Sequence, residues 1–160
     1  MGYTIRPLSV HELHRCVPFG EAFHTEMKIP GKFIGQKFVD SWIAFFASFP
    51  ATILLLQKDE LIIGGIGGIV TPDPYDGRLC AQEMFWFVDK AHRGGSGAAR
   101  LVDAFEDWAW SKDAVEVRVA RMMTGDDQPG IERFYDKRGY DMLEIHYRKP
   151  LVKESVSPCL

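Results

Sequence analysis

The sequence is short of the features that would mark it as secreted, membrane-spanning or disordered. Three of its 160 residues are cysteine, Cys16, Cys80 and Cys159. They are odd in number, far apart and without a CxxC pair. That excludes a disulfide framework and points to a reducing, cytoplasmic location. No apolar run approaches the roughly 18 residues of a membrane span, so no membrane association is expected. The opening MGYTIRPLSV lacks the apolar stretch of a secretory leader. Nor is there a basic excess. Lys plus Arg is 19 against 22 for Asp plus Glu, a net charge of −3, so nucleic acid is not an expected partner. At 46% hydrophobic residues the chain is too apolar to be disordered. Repeats and low-complexity tracts are missing as well. The reading is one domain over residues 1–150 with a C-terminal tail at 151–160.

What is present is a mixed order of helices and strands. Residues 3–7 alternate weakly as an opening strand. Ser9 with Glu12 three residues on makes a capping-box start for a first helix near Val10. Pro18, Gly20, Pro30 and Gly31 break the next stretch into short helical pieces or loops. Residues 33–49 carry an apolar face at helical spacing. Two β-rich runs, 51–57 and 61–70, flank the polar Lys58-Asp59-Glu60 and form a hairpin. Four glycines, at 64, 65, 67 and 68, lie inside the second run and mark a bulge or a close backbone approach. Residues 80–88 are the clearest strand, 98–110 an amphipathic helix, and 114–120 an alternating strand. A loop at 124–130, a helix at 131–138 stopped by Gly139, and a last strand at 142–147 complete the order.

The chemistry is concentrated in HRGGSGA, residues 92–98, a glycine-rich turn between strand and helix. The first-turn N–H groups of a helix and the positive end of its dipole form an anion site. Small residues let a phosphate approach the backbone, and Arg93 adds charge. A dinucleotide fingerprint fails because the third glycine is missing, and no GxxxxGK[ST] loop exists. GGSGA places Ser96 on a strand-to-helix turn as in a nucleophile elbow, which leaves a serine hydrolase as a remote alternative.

The turn followed by Leu101-Val102 resembles motif A of the GNAT superfamily of N-acetyltransferases. Arg93, Ser96 and Ala98 occupy its three defined positions, with serine where the family has glycine. Downstream, IERFYDKRGY at 131–140 is similar to the family's helix carrying a tyrosine into a Gly-aromatic pair. EIHYRKPL, from Glu144, resembles its last core strand. The resemblance implies an α+β fold: a mostly antiparallel twisted sheet whose fourth and fifth strands splay apart, flanked by about four helices. It also implies acetyl-CoA as cosubstrate, with its pantetheine arm lying in the splay. The backbone at Phe87 and Val88 would bond that arm, and Arg93, Gly94, Gly95, Ser96, Gly97 and Ala98 would hold the pyrophosphate. The side chains of Phe87 and Val88 pack as core either way.

The implied reaction is direct attack of a primary amine, small molecule or peptide, on the thioester in a ternary complex. It needs a base for the amine and an acid for the leaving thiolate. Tyr135 matches the family's tyrosine acid; as a plain core residue it would close the helix against the sheet. Glu83, a carboxylate in the most apolar strand, is the candidate base, directly or through water. Its alternative is an ion pair with Arg118 on the adjacent strand. His24 is the reserve base, and His92 bonds locally beside the turn. His11, His14 and Cys16 fall one residue short of an HExxH pattern, so no metal is expected. Trp108 is expected in the core and Trp110 exposed. Phe19, Phe23, Met27, Phe33, Trp42 and Phe45, with Glu21 and Glu26, form either an acceptor pocket or helix-packing core. A catalytically silent CoA- or protein-binding module and a homodimer remain open.

Overall fold

A computed structural model of the chain describes residues 2–123 and 130–151. The chain divides into two compact units, residues 1–127 and 128–160. In the first, strand β1 (Thr4–Pro7) leads into a 3-10 turn at Val10–Cys16 and helix α1 (Val17–Glu26). Helix α2 (Gly35–Ser48) precedes strands β2 (Ala51–Lys58), β3 (Leu61–Pro72) and β4 (Leu79–Val88). Helix α3 (Ser96–Trp110) and strand β5 (Glu116–Arg118) follow. The five strands run in the order β1-β2-β3-β4-β5. All neighbours are antiparallel except β4 and β5, which are parallel.

The central strands read as unbroken apolar runs because both faces of the sheet are covered. In β2, Ile53 and Leu55 join Leu8, Leu13, Cys16, Trp42 and Phe85 in one cluster, with Phe23, Phe38, Phe45 and Phe46 packed against it. Trp42 meets Phe85 edge to face at 5.6 Å. Across the sheet, α3 buries Leu101, Val102, Phe105 and Ala109. Phe105 stacks on Trp108 with centroids 5.4 Å apart, whereas Trp110 stands 79% exposed. Trp110 is exposed as expected, whereas Trp108, expected in the core, is only half-buried.

The glycines of β3 are explained by both faces pressing on them. A Cβ on Gly67 would come within 2.6 Å of Trp42 and Phe85, and one on Gly68 within 2.5 Å of the Gln82 carbonyl oxygen. At that level the β3–β4 register slips. Gly67 faces Phe85, Gly68 faces Glu83, and Met84 is the extra residue of a bulge. A bulge bends its strand and re-aims the groups beside it.

Several boundaries differ from expectation. The Ser9 N–H donates to the Glu12 carboxylate at 3.2 Å as a capping box requires, yet the α-helix begins only at Val17. Pro18 lies in that helix's first turn, where its missing N–H costs nothing. Gly20 lies inside α1, and the rings of Phe33 and Phe38 sit 3.0 Å from where its Cβ would be. The proline and glycine therefore fit a continuous helix instead of breaking it.

The second unit contains helix α4 (Gly130–Lys137), ended by Gly139 at φ +79°. Residues 142–147, expected as a last strand, form none; Met142, Leu143, Ile145 and Tyr147 are all exposed. Alternation gives a segment strand-forming character, but a strand also needs a hydrogen-bonded neighbour. The loop expected at 124–130 lies, apart from Gly130, outside the described residues.

Candidate active site

The site is built along β4 and into α3. β5 pairs with β4 only from Cys80–Glu116 to Gln82–Arg118. Beyond Gln82, β4 has no further β5 partner among the described residues, and the backbone on that edge as far as Val88 is left unpaired by β5. This is the splay between fourth and fifth strands. Phe87 and Val88 are buried, facing Gly65 and Gly64 on β3, so their side chains belong to the core.

The chain then turns through a short 3-10 segment, Lys90–His92, capped by Asp89, whose carboxylate accepts from the Ala91 N–H at 3.1 Å. The His92 N–H bonds the Asp89 carbonyl, a local contact beside the turn. Gly94 takes the left-handed conformation at φ +81°, which L side chains avoid, and has open space around it. Gly95 is the N-cap of α3 and makes no side-chain cap, so Ser96, Gly97 and Ala98 form an uncapped first turn. Gly97 is buried, with the Leu56 side chain 2.9 Å from where a Cβ would sit. The loop otherwise faces solvent, and its N–H groups fit an anionic group.

The two arginines nearest this turn are held by the protein. Arg93 donates through Nε to the Val88 carbonyl at 2.7 Å and through Nη2 to Glu26 at 2.8 Å, its Nη1 taking the other carboxylate oxygen. Its guanidinium lies 5.4 Å from the centre of the Phe87 ring. Arg100 donates to the carbonyl of Tyr3 at 2.7 Å. Sequence reasoning missed Glu26 as a partner of the turn, since 67 residues separate it from Arg93.

Glu83 stands where β5 leaves β4. Its Oε2 accepts the Ala120 N–H at 3.1 Å. The residue is half-buried, and burial pushes its carboxyl up to about 7 against the pull of that one N–H. Arg118, the alternative partner, turns instead to Glu116 at 2.6 Å and Asp73 at 2.8 Å. That pairing holds the Asp73 carboxyl below its ordinary value. A carboxyl group near 7 exchanges protons readily at neutral pH, as a general base must.

Tyr135 lies on α4 in the second unit, half-buried, with its ring 5.5 Å from that of Tyr140. Of the other candidates, His24 packs against Phe33 at 5.8 Å. Cys16 is buried in the core, which drives its thiol up to about 11. Trp42 and Phe45 are helix-packing core, edge to face at 5.5 Å. Glu21 and Glu26 instead line an open surface cavity of about 530 Å³ with Thr25, Lys28 and Lys90. No helix of the described residues is long and apolar enough to cross a membrane.

The sequence pattern of the acetyltransferase (GNAT) family matches residues 10–140, and the chain belongs to that family. Solved structures of similar fold include a ribosomal-protein-alanine N-acetyltransferase from Brucella melitensis biovar Abortus. It is 17% identical, with a TM-score of 0.70 over 94% of this chain and 100% of that one. An aminoglycoside acetyltransferase from an uncultured soil metagenomic sample is 18% identical, TM-score 0.74, over 95% and 100%. A predicted acetyltransferase from Clostridium acetobutylicum, solved with acetyl-CoA, is 12% identical, TM-score 0.76, over 93% and 96%. No curated protein matches the chain.

Proposed function

We propose that this protein is a CoA-dependent N-acetyltransferase that moves an acetyl group from acetyl-CoA to a primary amine. The observation that carries the reading is the continuity of β4 into the glycine turn. One strand runs on past its last β5 partner at Gln82 to Val88 and then delivers the uncapped first turn of α3. A cosubstrate with an amide-rich arm and a diphosphate matches that order of groups. The Clostridium neighbour was solved with acetyl-CoA, and the other two act on amine-bearing acceptors according to their names.

In this reading residues 1–150 act as one domain. The backbone of Phe87 and Val88 bonds the pantetheine arm, and the N–H groups of Gly94, Gly95, Ser96, Gly97 and Ala98 bind the diphosphate. Glu83 takes a proton from the ammonium or, through water, from the attacking amine. The neutral amine nitrogen bonds to the thioester carbon, the carbon–sulfur bond breaks, and Tyr135 protonates the departing thiolate. The nitrogen sheds its remaining extra proton to Glu83 or to water to leave the neutral amide. A phenol of ordinary pKa about 10 lies near that of a thiol, which suits the transfer.

The test is thiol release from acetyl-CoA across a panel of primary amines, with acetylated product identified by mass. Amine-dependent thiol release supports the reading. CoA binding without turnover on any amine would favour the silent binding module.

A further inference from the structure

The glycine turn is tied to α1 by a contact that anion binding does not require. Glu26 is the last residue of α1, and its side chain is only 10% exposed. It takes both terminal nitrogens of Arg93. The same guanidinium holds the Val88 carbonyl at the end of β4 and lies over Phe87, and Phe87 in turn meets Phe19 of α1 at 6.3 Å. Of the five N–H donors of Arg93, two meet the carboxylate, one from each terminal nitrogen, and a third goes to a backbone carbonyl.

We propose that Glu26 is a positioning residue for the cofactor loop. Through Arg93 it fixes Gly94–Ala98 relative to the end of β4, so that the N–H groups of the turn are aligned before a diphosphate arrives. Arg93 is then a brace with its charge neutralised by Glu26, and the backbone and helix dipole do the anion binding. Bidentate Arg–carboxylate geometry suits such a brace because it fixes orientation as well as distance. The consequence for CoA rests on the acetyltransferase reading; the ordering of the turn does not.

Two measurements separate the two. In the ligand-free protein, backbone 15N order parameters at Gly94–Ala98 should fall in Glu26→Ala and in Arg93→Ala, with Glu26→Gln between wild type and Glu26→Ala. Unchanged order parameters in Glu26→Ala overturn the brace, whatever the protein binds. In CoA titrations each alanine variant should weaken binding by about tenfold, and the double variant should be no weaker than either single, the signature of two residues acting as one unit. If Arg93→Ala weakens CoA while Glu26→Ala leaves it equal or tighter, Arg93 contacts the diphosphate itself and the brace is overturned. If wild type binds no CoA, the acetyltransferase reading fails, and the order parameters still decide the role of Glu26.

Discussion

The carboxylate of Glu83 on β4 is met by the backbone N–H of Ala120, two residues past the end of β5, at 3.1 Å. The contact places a half-buried acid at the fork where the two parallel strands part. A single N–H is little stabilisation for a carboxylate in that setting, and burial raises its pKa to about 7.

Turnover is therefore expected to rise with pH through about 7 as Glu83 loses its proton, measured as log kcat/KM against pH. Glu83→Gln should lower kcat by about 10²-fold or more and remove that limb of the profile. An unaltered pH profile in the variant would remove Glu83 from the proton path.

The same shift has a consequence for stability. Between its ordinary value of 4.5 and about 7, Glu83 holds more proton in the folded state than in the unfolded one, so it lowers stability as pH rises. Glu83→Gln should therefore gain stability over wild type as pH increases across that window, with a constant difference above about 7. Urea midpoints at several pH values measure this.

Tyr135→Phe removes the hydroxyl and keeps the ring that meets Tyr140. Loss of turnover with CoA affinity unchanged is the expected result. Equal turnover in the variant would leave Tyr135 a packing residue.

Gly68 faces the bulge and lies beneath α3. A methyl group there would lie 2.5 Å from the Gln82 carbonyl oxygen and closer still to the Phe105 ring. Gly68→Ala should cost about 1–3 kcal/mol by overpacking. Because Glu83 is the register partner of Gly68, turnover should fall as well. On the other face, Trp42→Ala should cost about 3–5 kcal/mol, since Trp42 is 3% exposed. Chemical denaturation checks both.

Much of this was legible in the sequence wherever local chemistry decides structure. The apolar runs of β2 to β4 and the glycine turn are strong local signals, and their observed limits lie within one or two residues of expectation. α3 begins at Ser96, earlier than the apolar periodicity implied, because a helix's first turn needs no apolar side chains to form. What failed depended on partners. Residues 114–120 alternate throughout, yet only Glu116–Arg118 find β4. Residues 142–147 alternate and form no strand. Arg93 pairs with Glu26, 67 residues away, and nothing near it in sequence points to that partner. Glu83 reads as a partner of Arg118, but Asp73 in the β3–β4 connection takes that guanidinium.

The most direct test of the central claim is thermal denaturation with acetyl-CoA and CoA up to millimolar concentration. A ligand held on the native β4 edge and α3 turn stabilises the protein by mass action, about 2.7 kcal/mol at a hundredfold excess over Kd. The account predicts a saturable rise in Tm with both compounds. A Tm that neither compound moves at millimolar concentration would contradict it.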